Sequence, residues 1–128
     1  MAVETISPLI PSTIDAACLH KMAERGQIRH ALVDGPLAFD NAISTEAAQE
    51  KGIRSEVAGD VDVVLAPGLD AGNILYKNLV YLANARMAGI VMGARAPIVL
   101  TSRADPPQAR VHSLALASLV CSYEPACD

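Results

Sequence analysis

A chain of 128 residues is the size of one domain, long enough to bury a hydrophobic core. Its hydrophobic content is 52% with one Phe and no Trp, so that core is expected to be aliphatic and rich in alanine. A formal charge of −4 speaks against nucleic acid or an acidic membrane as a general partner, and leaves any anionic ligand to a few local groups.

Residues 1–11 read as an irregular lead-in containing Pro8 and Pro11, without the basic-then-apolar pattern of a signal peptide. Ser12, three residues before Asp15, resembles a capping box and predicts a helix from about 13 to 25 that Gly26 stops. On it Cys18 reads as a small core residue, because no His or acid is paired with it locally, and His20 reads as a solvated surface residue. Residues 30–33 are a short strand candidate that turns at Asp34-Gly35-Pro36. Asp40-Asn41 offers one helix start and Ser44-Thr45-Glu46 a second, with Gly52 as its stop. After a loop over 53–59, residues 62–66 carry an unbroken apolar run, the pattern of a strand buried in a parallel sheet.

Pro67, Gly68, Asp70 and Gly72 break that strand, and the spacing of Ile74, Leu75, Leu79 and Leu82 predicts a helix over 73–85. Runs 87–92 and 97–101 are strand-like but too close for a helical crossover, so they form a hairpin or one bent strand. A last helix is predicted over 106–120 with Asp105 as its N-cap, and 121–128 is read as an irregular tail. Three cysteines, Cys18, Cys121 and Cys127, make neither a metal-like pair nor an even disulfide framework, which points to a reduced, cytoplasmic setting. No run approaches the roughly 18 apolar residues of a membrane span. The alternation of strands and helices predicts a single α/β domain with a mainly parallel sheet.

Polar residues collect at three strand-to-helix junctions: Asp34 to Asn41, Pro67 to Asn73, and Thr101 to Asp105. In a parallel sheet all three fall on the edge where ligands bind. At the second, Gly68 and Gly72 allow close backbone approach, a helix N-terminus attracts phosphate, and Asn73 and Lys77 share one helix face. Turn geometry alone also accounts for those glycines. At the third, Thr101, Ser102, Arg103 and Asp105 place a hydroxyl, a guanidinium and a carboxylate together. A helix cap beside an exposed arginine is the plainer reading of that group. The sequence contains no GxGxxG, Walker A, HExxH or CxxC motif.

The runs VDGPLAFDNAIS, VAGDVDVVLAPGLDAGNILYKNLVYL and AGIVMGARAPIVLTSRAD, in that order, resemble the phosphate acetyl/butyryl transferase family, on the butyryl side. The resemblance covers about 11–119. It implies a three-layer α/β/α domain similar to one domain of the isocitrate and isopropylmalate dehydrogenases. It implies acyl exchange between coenzyme A and inorganic phosphate, in a homodimer, with no metal or redox cofactor and coenzyme A as a substrate. By matching motif, Arg103 would hold phosphate or its acyl ester and Ser102 would hydrogen-bond the reacting carbonyl or thiol. Both roles suit the groups, since guanidinium binds phosphate in two-pronged fashion and aimed donors stabilise a developing oxyanion. Asp34, Gly35, Pro36, Asp70, Gly72, Asn73, Lys77 and Thr101 are the substrate-binding candidates.

The sequence departs from the family pattern in three ways. Where the acetyl branch carries an acid beyond the Ser-Arg pair, this chain reads Pro106-Pro107-Gln108-Ala109, leaving Asp105 as the nearest candidate for the base. Gly68 stands where an Asp is expected. Members are also longer, so the chain matches the C-terminal half and a separate N-terminal domain or subunit would supply the remainder. A non-catalytic module that binds coenzyme A or phosphate, or serves assembly, is the alternative. A dehydrogenase needs metal-binding carboxylates and a nicotinamide pocket, and that set is not found.

Overall fold

The computed structural model describes residues 3–123, which divide into two compact units, Met1–Ile74 and Leu75–Asp128. Five helices are present among the described residues: α1 Pro11–Glu24, α2 Phe39–Ile43, α3 Thr45–Glu50, α4 Leu69–Tyr81 and α5 Pro107–Ser122.

In the first unit, α1 starts at Pro11, whose fixed φ and missing N–H suit a first helical position. The capping box expected from Ser12 does not form; Ile10 is the N-cap and makes no side-chain cap bond. Thr13 does that work from inside the helix. Fully buried, its Oγ1 accepts the Ser7 N–H at 2.9 Å and lies 2.8 Å from the Ile10 carbonyl. Gly26 ends the helix as expected, at φ +73°, with Gly26 N–H to Ala23 O and Gln27 N–H to Met22 O. Those two bonds make a Schellman motif, which needs a left-handed residue where glycine sits.

The same device closes α3, where Gly52 at φ +64° bonds Gln49 O and Ile53 bonds Ala48 O. Ser44 caps its start by accepting the Ala47 N–H at 3.2 Å, as the sequence suggests. Lys51, just past α3, reaches Asp40 at 2.8 Å and Glu4 at 3.4 Å, and so ties the lead-in to both short helices. Its hydrogen bond holds the Asp40 carboxyl below the usual range. Both partners are exposed, so salt screens this pair.

The strand candidates 30–33 and 62–66 show no sheet ladder in the first unit. His30 sits at φ +61°, a left-handed conformation that a regular strand does not contain. Leu32 and Val63 are 72% and 82% exposed. Buried apolar side chains of this unit include Pro36, Leu37, Ala42 and Ala48. Cys18, expected in the core, is exposed on α1 instead.

In the second unit, residues 87–89 lie along α5. Ser113, 1% exposed, donates to Ala109 O and accepts the Gly89 N–H at 3.0 Å, while His112 Nδ1 lies 3.3 Å from Met87 O. Val91 and Ile98 form a reciprocal antiparallel bridge, the hairpin alternative for this stretch. α5 runs two residues further than expected, so Cys121 and Ser122 are helical; the rest of the expected tail, from 124, lies outside the described residues. No helix among the described residues is long and apolar enough to cross a membrane.

Candidate functional site

The Thr101–Asp105 junction is a turn closed on itself. Asp105 N–H bonds the Ser102 carbonyl at 3.1 Å, and the Asp105 carboxylate accepts the Ser102 N–H at 2.7 Å through Oδ2. Asp105 is therefore not the cap of α5: Pro106 is the N-cap and makes no side-chain bond there. An acid in this position prefers the amide of its own turn, a local bond that competes with helix capping. The carboxylate's other oxygen, Oδ1, lies 3.4 Å from the Tyr76 hydroxyl, which is also 3.0 Å from Met87 Sδ. Asp105 is 9% exposed, and both its oxygens have partners.

Ser102 and Arg103 are displayed on this turn rather than absorbed by it. Among the described residues, the Ser102 hydroxyl accepts only a long 3.4 Å contact from the Ala104 N–H, and Arg103 is exposed with no hydrogen bond or ion pair. A displayed guanidinium beside a hydroxyl, on a turn held by a buried carboxylate, can take up an anion. Thr101, half-buried, precedes them.

Burial and the nearby Asp105 carboxylate push the Tyr76 hydroxyl above its ordinary pKa. Its folded value thus lies above its unfolded one, so its stabilising contribution is intact below about pH 10 and is lost as pH climbs through the folded value. Urea midpoints of the native chain and Tyr76→Phe, followed from neutral to alkaline pH, are expected to converge at high pH. A constant difference would show that the phenol does not titrate with folding.

Lys77 follows on α4, its Nζ 4.8 Å from the Tyr76 ring centre and 5.7 Å from that of Tyr81. α4 begins at Leu69, four residues before the expected start, because Leu69 and Asp70 already follow the Pro67-Gly68 break. Gly72 and Asn73 are consequently helical, with Gly72 N–H bonded to Gly68 O, and Lys77 stands about 12 Å along the axis from the first residue. Asp70 lies in the first turn, where its charge offsets the positive end of the helix. Neither Gly68 nor Gly72 has a positive φ, and a Cβ on Gly72 would meet only an ordinary 3.5 Å contact with Ala66. The glycine-bearing stretch read as a loop is thus largely the first turn of a helix.

In the first unit, Asp34 Oδ1 accepts the Gly35 N–H at 2.7 Å and lies 3.3 Å from His20 Nδ1, which is 2.8 Å from the Val33 carbonyl. His20 is exposed, as expected, and also anchors this turn. A Cβ on Gly35 would lie 3.1 Å from Ala16 Cβ, so the turn packs close on α1; Pro36 is buried behind it. The sequence gives no signal for His20 or Tyr76, since their partners are distant along the chain.

Comparison with known proteins follows from these features. Over 119 residues the chain is 62% identical to the phosphate acetyltransferase of Rickettsia typhi, covering 93% of this chain and 34% of that protein. It is 53% identical over 119 residues to the phosphate butyryltransferase of Clostridium acetobutylicum, covering 93% of this chain and 40% of that protein. The expected lean to the butyryl side is not reflected in these identities. A crystal structure of a branched-chain phosphotransacylase from Enterococcus faecalis V583 superimposes with a TM-score of 0.82 at 35% identity, covering 97% of this chain and 44% of that one. The chain thus spans about a third to two fifths of the curated relatives it matches, less than the expected half. A family model described as phosphate acetyl/butaryl transferase matches residues 2–118, and to that family the chain belongs.

Proposed function

We propose that the chain supplies the Ser102–Arg103 part of a phosphate acyltransferase, which moves an acyl group between coenzyme A and inorganic phosphate. The observation that carries this reading is the exposed, unpaired Arg103 beside Ser102 on a turn fixed by Asp105. A phosphate oxygen attacks the thioester carbonyl, the carbon–oxygen bond forms, and the carbon–sulfur bond breaks. The thiolate leaves as coenzyme A and takes up a proton. Arg103 holds the phosphate in two-pronged fashion, and the Ser102 hydroxyl donates to the oxyanion. Of the roles weighed for Asp105, we assign it that of holding the turn, since both its oxygens have partners.

Coenzyme A and its acyl esters are substrates in this reading, no other cofactor takes part, and the setting is cytoplasmic. The matched segment belongs to a three-layer α/β/α domain, completed by a separate N-terminal domain or subunit, in a homodimer. Exposed Leu32, Val63, Leu65 and Leu100 support completion by another chain. Because the chain spans so little of its relatives, a non-catalytic module that binds coenzyme A or phosphate is the second reading.

The test is co-expression with the part of the Rickettsia typhi phosphate acetyltransferase that this chain does not match. Acyl-CoA formation from acyl phosphate and coenzyme A is then measured. Turnover is expected in the mixture and not in either polypeptide alone. No turnover, with calorimetric coenzyme A binding retained, selects the second reading.

A further inference from the structure

The first unit contains a cleft of about 650 Å³ lined on two sides by the runs 30–35 and 60–65. Among the described residues, Ala31, Leu32 and 61–64 make no backbone hydrogen bond, although their side chains are largely those of a sheet interior. Backbone donors and acceptors left open beside exposed Leu32 and Val63 are the recognition surface of β-strand addition. The charged side chains lining the cleft are Asp34, Glu56, Asp60 and Asp62, with His30 and without Lys or Arg. An occupant that complements it is extended and apolar between the walls, and basic at its end.

We infer that this cleft accepts an extended, β-branched segment flanked by Lys or Arg, contributed by the polypeptide that completes the family enzyme. The inference rests on the acyltransferase reading only for the origin of the strand. Main-chain bonds to both walls would supply affinity, alternate apolar side chains would fill the cleft, and the acidic rim would fix orientation. The same segment would make 31–33 and 61–64 neighbours in one sheet. Attraction between the rim and the basic end weakens with salt.

Overlapping peptides covering the unmatched part of the Rickettsia typhi relative are added to the intact chain, and amide hydrogen exchange is followed. One peptide, or adjacent peptides sharing a basic-flanked apolar core, is expected to slow exchange at 31–33 and 61–64 by about tenfold or more, with α5 unchanged. Val63→Pro, which removes an N–H from the wall, and Val63→Asp are expected to weaken binding about tenfold or more. Leu119→Asp on α5 should leave it unaltered. The inference is overturned if no peptide protects these amides, or if they are already slow in the free chain. It is equally overturned if protection in the free chain rises with its own concentration, which would make a second copy the occupant. Turnover in the co-expressed mixture without this protection would sink the inference alone; protection without turnover would sink the acyltransferase reading alone.

Discussion

Arg103→Ala is expected to lower turnover of the co-expressed enzyme by about 10²- to 10³-fold, on the scale of removing one partner of a hydrogen-bonded charge pair buried between enzyme and substrate. The chain's melting temperature should stay close to that of the native protein, because Arg103 is exposed and has no partner among the described residues. That pairing of large kinetic loss with unchanged stability separates a substrate contact from a structural one. Arg103→Lys keeps the charge but loses the planar fork, so it should recover only part of the rate. If Arg103→Ala turns over at the native rate, the guanidinium is not a phosphate ligand and the assignment of this turn fails.

The largest stability effect is expected at Gly59, which leads into the 60–65 wall of the cleft. Its φ is +96°, and a Cβ there would lie 2.6 Å from Thr45 Cα and 2.9 Å from Thr45 N. Those are backbone atoms of α3, so no side-chain rotation relieves the overlap. Gly59 N–H also bonds the Ala42 carbonyl at 3.1 Å, which pins the glycine where the clash occurs. Gly59→Ala should therefore destabilise the chain by about 3 kcal/mol or more, combining strained backbone with overpacking. Gly26→Ala is the informative control. It has a similar left-handed φ of +73° but nothing within 4 Å of an added Cβ, so it should lose only about 1 kcal/mol. Urea midpoints of the two variants measure the difference, and equal losses would mean that the α3 contact yields without penalty.

What could be read from the sequence divides by the range of the interaction. Gly26, Gly52 and Ser44 were legible because a cap is settled within a few residues of itself. The start of α4 was not, because Asp70 and Gly72 serve equally well in a loop and in a first helical turn. Ser102 and Arg103 were legible as displayed groups, through a short motif. The holding role of Asp105 was not: its Tyr76 partner lies 29 residues away, and a cap beside Pro106 satisfied every local rule. His20 and Val33 are 13 residues apart and escaped for the same reason. Cys18 was misplaced because its apolar character says nothing about how little of the α1 surface this unit covers. The runs 30–33 and 62–66 carry the composition of strands, but pairing is a property of neighbours, and composition does not supply them.

The contact between Tyr76 and the Asp105 carboxylate has a use at the bench. The chain has three tyrosines and no tryptophan, and Tyr76, Tyr81 and Tyr123 all fall in the second unit. Tyrosine absorption and emission therefore watch that unit alone; the one phenyl ring of the first unit, Phe39, lies outside the tyrosine bands. Tyr76 is joined through Asp105 to the Ser102 amide, so its spectrum is a native optical probe of the turn that carries Arg103. Titrating phosphate against tyrosine emission would follow that turn without a label.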